Sequence, residues 1–156
     1  MLKKVRVLIV DDDDSIRAVF SQILEERGFI VDSVKTGKTA IEKSKVNVYD
    51  VVLIDIRLPD IEGIELLTKL KDTVPKMRKI IMTGFPTQQN AISALNKQAD
   101  AYLLKPIIVD KLLTVIDEQL KIKEEETKYS EQKVAEFMES RVKEIKSRKR
   151  EKNVHF

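Results

Sequence analysis

The chain contains no cysteine, so neither a disulfide nor a thiolate metal site can be built from it. A reducing, cytoplasmic setting fits that composition. No apolar run approaches the length of a membrane span, and the first residues, MLKKVRV, open directly into a strand pattern, which leaves no room for a signal peptide. Glycine and proline are missing from residues 107–156, so nothing in that stretch forces a helix to stop. The first 120 residues also lack any excess of charge, with 18 Lys/Arg against 18 Asp/Glu. Residues 121–156 hold 11 against 8, so the net charge of +3 and the basic character belong to the tail. What is present is a chain of 156 residues with 42% apolar content. That suffices for one domain with a sizeable core plus an extension, and it excludes a disordered chain.

Residues 51–54, Val-Val-Leu-Ile, form a continuous apolar run of the kind found in strands buried on both faces. The run ends on Asp55, and Pro59 and Gly63 then break the pattern, so a loop follows. An acid at the carboxyl end of a buried strand is where open α/β sheets place their chemistry; the alternative is a strand-end Asp that caps a turn. Similar strands are predicted at 5–10, ending in the acidic run 11–14, and at 29–34. Two more follow, at 79–82 before Thr83-Gly84 and at 101–104 before Lys105-Pro106. Between them, Ile16, Val19, Phe20, Ile23 and Leu24 mark a helix capped by Asp13 or Asp14 and stopped by Gly28. Thr36 or Thr39 opens a short helix to about residue 45, and a third spans 63–73 with Ile64, Leu67 and Leu70 inward. A fourth begins at Pro86-Thr87 and contains Ala91, Ile92 and Leu95. A final helix starts near Ile108 with Val109, Leu112, Leu113 and Ile116 on one face. Five alternations of strand and helix predict an α/β domain, with a parallel sheet, helices on both faces and right-handed crossovers.

The carboxyl ends of the strands then carry Asp11 and Asp12, Asp55, Thr83 and Lys105, all on one side of the sheet. The second strand contributes nothing comparable, as expected of an edge. Three clustered carboxylates repel one another, and a hard divalent cation such as magnesium relieves that. A carboxylate cluster beside a hydroxyl and an ammonium suits phosphoryl chemistry, with one Asp attacking phosphorus. Taken singly, Thr83 is an ordinary strand-end residue and Lys105 a solvated charge; together, in this order, they form a set. Asp13 and Asp14 read as helix-cap and dipole residues.

Residues 1–120 resemble the receiver domain of two-component response regulators. The resemblance rests on Leu8-Ile9-Val10-Asp11-Asp12, Asp55-Ile56-Arg57-Leu58-Pro59-Asp60-Ile61-Glu62-Gly63, Ile81-Met82-Thr83-Gly84 and Tyr102-Leu103-Leu104-Lys105-Pro106. It implies a flavodoxin-like, doubly wound sheet in the order 2-1-3-4-5, the order for which a chemotaxis receiver is a standard example. It implies that Asp55 is the phosphoryl acceptor. Asp11 and Asp12 would hold Mg2+, helped by Asp55 and the backbone carbonyl of Arg57. Thr83 and Lys105 would contact the phosphoryl group, Tyr102 would be the rotating aromatic, and the Lys105-Pro106 bond would be cis. The donor would be a sensor histidine kinase or a phosphotransfer protein, and the face made by the fourth helix, fifth strand and fifth helix would switch to control an output partner. Such a protein catalyses only its own phosphorylation and dephosphorylation. Two positions depart from or vary within the family: Gln98 stands where many receivers have Gly, and Arg57 lies two beyond the acceptor at a site that influences phosphoryl lifetime. The single histidine, His155, lies in the tail without the helical context of a kinase, and is expected to be an exposed bystander.

Two other functions fit parts of the pattern. A haloacid-dehalogenase-type hydrolase would use Asp11 as nucleophile and Asp13 as acid/base. It would, however, have Ser15 where its motif wants Thr, lack a later acidic pair, and leave Asp55 unexplained. A receiver fold kept as an unphosphorylated docking module would have no need of three clustered carboxylates. The tail, 121–156, is expected to be charged and helical. Residues 121–130 are too polar to bury a face, whereas Val134, Phe137, Met138, Val142 and Ile145 restore a helical stripe ahead of a basic cluster at 146–152. It reads as a short coiled coil or docking helix, as a basic segment touching a membrane or nucleic acid, or as a solvated helix. A homodimer would form through it or through the switching face.

Overall fold

The structure, a computed structural model, describes residues 3–73, 76–84 and 99–154. The expected fourth helix with Ala91, Ile92 and Leu95 lies outside the described residues, as do Gln98 and His155. Five strands, β1 (Arg6–Val10), β2 (Ile30–Val34), β3 (Val51–Asp55), β4 (Arg78–Thr83) and β5 (Ala101–Leu104), pair in parallel in the order β2-β1-β3-β4-β5. The helices among them are α1 (Asp14–Glu26), α2 (Gly37–Val46) and α3 (Gly63–Lys69), followed by a C-terminal helix, Val109–Val154. This is the flavodoxin-like order that the resemblance to receiver domains implies.

Alternation along the central strands builds two cores, one on each face. Leu8, Val10, Val52, Ile54 and Ile81 cluster with Ala40 of α2 and with Leu66 and Leu67 of α3. Val7, Ile9, Val51, Leu53, Ile80 and Met82 cluster instead with Phe20 and Leu24 of α1 and with Leu112 and Ile116. Strands covered on both sides explain why 51–54 is apolar without a break. Asp13 caps α1 by accepting the N–H groups of Ser15 and Ile16, and the chain leaves that helix through Gly28 at φ +89°.

Three local expectations are corrected. Val19 is 51% exposed, because it lies at the margin of the α1 stripe while Phe20 and Leu24 go inward. Helix α3 ends at Lys69, not near 73: Leu70 turns to extended backbone, the Lys71 N–H donates to Ser44 Oγ at 3.3 Å, and the buried Lys79 ammonium donates to Leu67 O at 2.7 Å. Both contacts take up groups that a longer helix would need for itself. Residues 121–130 do bury a side chain, since Lys123 is 7% exposed and donates to Asp50 Oδ1 at 2.9 Å.

The chain divides into two compact units, Met1–Lys123 and Glu124–Phe156. The first holds the sheet and both cores. In the second, every described side chain from 128 to 152 is exposed. Among the described residues no helix is long and apolar enough to cross a membrane.

Candidate functional site

Adjacent parallel strands carry the acids to the same edge. Val10 pairs with Ile54, so Asp11 and Asp55 leave neighbouring strands side by side. Asp11 stays in the ladder by donating its N–H to Val34 O at 3.1 Å. One carboxylate oxygen from each of Asp11, Asp12 and Asp55 lies within 4.8 Å of the others. Asp11 is fully buried, Asp55 is 7% exposed and Asp12 faces solvent, so the cluster opens outward through Asp12.

Lys105 reaches the cluster from β5. Its Nζ lies 3.0 Å from Asp55 Oδ2 and 3.5 Å from Asp11 Oδ2. Lys105 N donates to Thr83 O at 2.7 Å, which ties the ends of β4 and β5 together, and Thr83 itself is fully buried. The Lys105-Pro106 bond is cis. Burial pushes the Asp11 carboxyl above the usual carboxylate range, and the nearby Asp55 charge adds to that; the Asp13 N–H at 2.9 Å and Lys105 oppose it without prevailing. Burial alone would lower the Lys105 pKa, but the hydrogen bond to Asp55 and both carboxylate charges outweigh it and hold the ammonium above its ordinary value.

The donor set fits a hard divalent cation. Three carboxylate oxygens at this spacing can close on one Mg2+ with little movement, since octahedral ligands at about 2.0–2.1 Å lie about 3–4 Å apart. The Arg57 N–H donates to Asp55 Oδ1 at 3.1 Å, which fixes the orientation of that carboxylate. Asp13 stands apart: its Oδ1 accepts from Ser15 N at 2.9 Å and Ile16 N at 3.1 Å. A hydrolase working through Asp11 would need that same group free as acid/base. Tyr102, on β5 beside Ile81 of β4, is 40% exposed.

Two supporting residues escape the sequence. Arg17 Nη1 donates to the Asp11 backbone carbonyl at 2.6 Å, and its other terminal nitrogen pairs with Asp14. A helix-surface arginine looks solvated in sequence; its only signal is the i,i+3 spacing to Asp14. Asp60 accepts the N–H groups of Gly37 and Lys38, both at 2.9 Å, which fastens the loop after Asp55 to the start of α2.

A doubly wound parallel sheet with a buried acid pocket and a bridging lysine at its carboxyl edge defines a phosphoryl-handling class of α/β domain. Residues 7–117 match the response regulator receiver domain, and the chain belongs to that family. It is similar to the transcriptional regulatory protein ZraR of Klebsiella oxytoca, 36% identical over 118 residues, which cover 76% of this chain and 27% of that protein. It is also similar to the regulatory protein AtoC of Escherichia coli, 32% identical over 76% of this chain and 26% of that protein. The chain thus spans about a quarter of the length of these curated relatives. A CheY-like receiver domain from Methanospirillum hungatei has a similar structure, with a TM-score of 0.73 and 40% identity over 80% of this chain and 99% of that one. A Francisella response regulator receiver domain gives a TM-score of 0.68 and 31% identity over 76% and 98%. The chain is therefore a receiver domain of the two-component response regulators, a signalling family, with a helical extension after it.

Proposed function

We propose that Asp55 is the phosphoryl acceptor of this receiver, and that the chain takes its phosphoryl group from the phosphohistidine of a sensor histidine kinase or phosphotransfer protein. The observation that carries this is the Lys105 ammonium, which bridges Asp55 and Asp11 at 3.0 and 3.5 Å. A carboxylate held by a fixed ammonium and by the Arg57 N–H is oriented for attack, yet open on the side of exposed Asp12. Asp55 attacks phosphorus in line with the departing imidazole: the new P–O bond forms as the P–N bond breaks, and the imidazole nitrogen keeps the bonding pair. Lys105 moves with the charge, from two carboxylates in the resting pocket to the phosphoryl oxygens. Thr83 donates its hydroxyl to another of those oxygens. Mg2+, bound by Asp11, Asp12, Asp55 and the Arg57 carbonyl, would neutralise the phosphoryl charge that the carboxylates would otherwise repel. Movement of Thr83 towards the acyl phosphate makes room for Tyr102 to turn inward, which shifts the surface around β5 and its flanking helices between two populations. That surface then engages an output partner in the cytoplasm, and the domain's only chemistry is its own phosphorylation and hydrolysis.

Intact mass after incubation with Mg2+ and acetyl phosphate or phosphoramidate tests this. Wild type should gain one phosphoryl group, and Asp55→Asn should gain none. A gain that survives Asp55→Asn but disappears with Asp11→Asn would move the chemistry to Asp11. No gain in wild type, together with no binding of beryllofluoride as an acyl-phosphate mimic, would leave a docking module.

A further inference from the structure

Lys105 reaches Asp11 and Asp55, but the third acid of the cluster has no such hold. Among the described residues the Asp12 carboxylate takes part in no hydrogen bond or ion pair, and it is exposed. Its direction is set instead by the two peptide planes that flank it. The plane after it is fixed by the Asp13 N–H, which donates to Asp11 Oδ1 at 2.9 Å. The plane before it carries the Asp11 carbonyl, which accepts from Arg17 Nη1 at 2.6 Å. Each peptide plane contains both adjoining Cα atoms, so the two bonds together hold the Asp12 backbone. The carboxylate keeps only its own side-chain torsions.

Helix stability does not account for where Arg17 is placed. It lies in the first turn of α1, where its positive charge meets the positive end of the helix dipole. Its i,i+3 pair with Asp14 leaves that carboxylate 75% exposed, an arrangement that contributes little by itself. Asp14 also has Lys35 Nζ at 3.5 Å. Yet the Arg17 side chain is only 11% exposed. A guanidinium drawn that far from water requires a hydrogen-bond partner, and the partner inside the fold is the Asp11 carbonyl. Asp14 takes the other terminal nitrogen, which steadies the planar fork against that carbonyl.

We propose that Arg17 is a positioning residue for phosphoryl transfer: by gripping the Asp11–Asp12 peptide it keeps the Asp12 carboxylate turned towards Asp11 and Asp55, where the three can close on Mg2+. The role rests on the reading of those acids as the Mg2+ pocket, and Arg17 acts through Asp12. Its effect on cation binding is opposite in sign to that of its charge. A positive side chain beside a cation site repels the cation, and its removal also releases the Asp14 carboxylate. By charge alone, a neutral replacement therefore tightens binding. Loss of alignment weakens it, so the direction of the change separates the two.

The test titrates the full, unphosphorylated chain with Mn2+, an oxygen-liganded stand-in for Mg2+ whose free form is counted by electron paramagnetic resonance. Arg17→Met, which keeps a stem but removes the fork, should weaken Mn2+ binding by about tenfold, the low end for a residue that orients a metal ligand. Arg17→Lys can reach the Asp11 carbonyl but lacks the planar fork that joins it to Asp14, and should fall between. Phe20→Leu, on the buried face of the same helix, is the control for a merely structural role. It should lower the denaturation midpoint and leave Mn2+ affinity at the wild-type value. In an Asp12→Asn background, Arg17→Met should have less than about a twofold further effect, because no carboxylate is left to aim. Mn2+ affinity in Arg17→Met that equals or exceeds wild type would overturn the positioning role. So would a loss of the same size that persists in the Asp12→Asn background. Intact mass with acetyl phosphate is read in parallel. Phosphorylation of wild type at Asp55 beside unchanged Mn2+ affinity in Arg17→Met overturns this proposal alone. No phosphorylation beside weakened Mn2+ binding in Arg17→Met overturns the acceptor reading and leaves the role of Arg17 standing.

Discussion

Gly63 shows how little room surrounds the proposed acceptor. It begins α3, its N–H donates to Ile56 O at 2.9 Å, and a Cβ there would stand 2.6 Å from Asp55 O and 2.8 Å from Ile56 Cα. Those are backbone atoms of the strand end that carries the carboxylate, and no rotamer change moves them aside. Gly63→Ala should therefore destabilise the domain by about 1–3 kcal/mol, the usual cost of overpacking. It should also slow phosphorylation of Asp55 by acetyl phosphate, because the strand end must shift to relieve the contact. Chemical denaturation and the rate of mass gain measure the two effects; a variant with unchanged stability and rate would show that the loop yields easily. At this scale the sequence is most legible where a residue violates its surroundings. Asp55 stands out because a carboxylate ends an apolar run, and Asp11 for the same reason. Arg17 does not, since its contact is to a backbone carbonyl that a sequence does not display.

The elements hold the site through contacts between their ends. Helix α2 begins with N–H groups that no helical carbonyl can accept; Thr36 Oγ1 takes that of Thr39 at 3.2 Å, and Asp60 takes those of Gly37 and Lys38 with one carboxylate oxygen each. The slight burial of Asp60 would raise its pKa, but the Lys38 and Gly37 N–H groups outweigh it and hold the carboxyl below its ordinary value. A depressed folded-state pKa means that the anion stabilises the fold. That contribution is complete above the unfolded value of about 3.9 and is lost as pH falls through the folded one. Asp60→Ala should cost about 0.5–1 kcal/mol at neutral pH, the low end for a helix cap because the carboxylate is solvent-exposed. The deficit relative to wild type should shrink as denaturation is repeated at pH values falling through 4 and below. A deficit independent of pH would mean that packing, not the charged cap, is what the substitution removes. The five strands and the described helices followed from periodicity and turn residues, and the sheet order from the family resemblance, whereas the end of α3 followed from neither. Leu70 continues the apolar spacing of that helix, and only the tertiary partners Ser44 and Lys79 stop it at Lys69.

Over the whole receiver, the edge of the sheet opposite the site is closed by buried charge. Asp50 accepts the Arg6 N–H on Oδ2 at 2.9 Å and the Lys123 ammonium on Oδ1 at 2.9 Å, with exposed Lys3 further off at 3.9 Å. Beside it, Arg78 donates to Gln119 at 2.9 Å and pairs with Asp100 at 3.3 Å. The C-terminal helix is thus fixed by Gln119 and Lys123 as well as by the apolar Leu112 and Ile116. A lysine within the polar stretch 121–130 gave no sign of this, because its partner lies 73 residues earlier. The pair also places a structural requirement beyond residue 120, where apolar periodicity alone would end the domain. Removing one member of a buried ion pair strands the other, at about 3–5 kcal/mol. Lys123→Met, which keeps the bulk of the side chain, should therefore destabilise the receiver by about that amount. Truncation after Leu120 should match it, and truncation after Lys128 should stay close to the full chain. Adding Asp50→Asn to Lys123→Met should recover part of the loss, since the uncompensated charge is then gone. If the two truncations unfold at the same denaturant concentration, Lys123 is dispensable, and the receiver's stability is set by its two apolar cores.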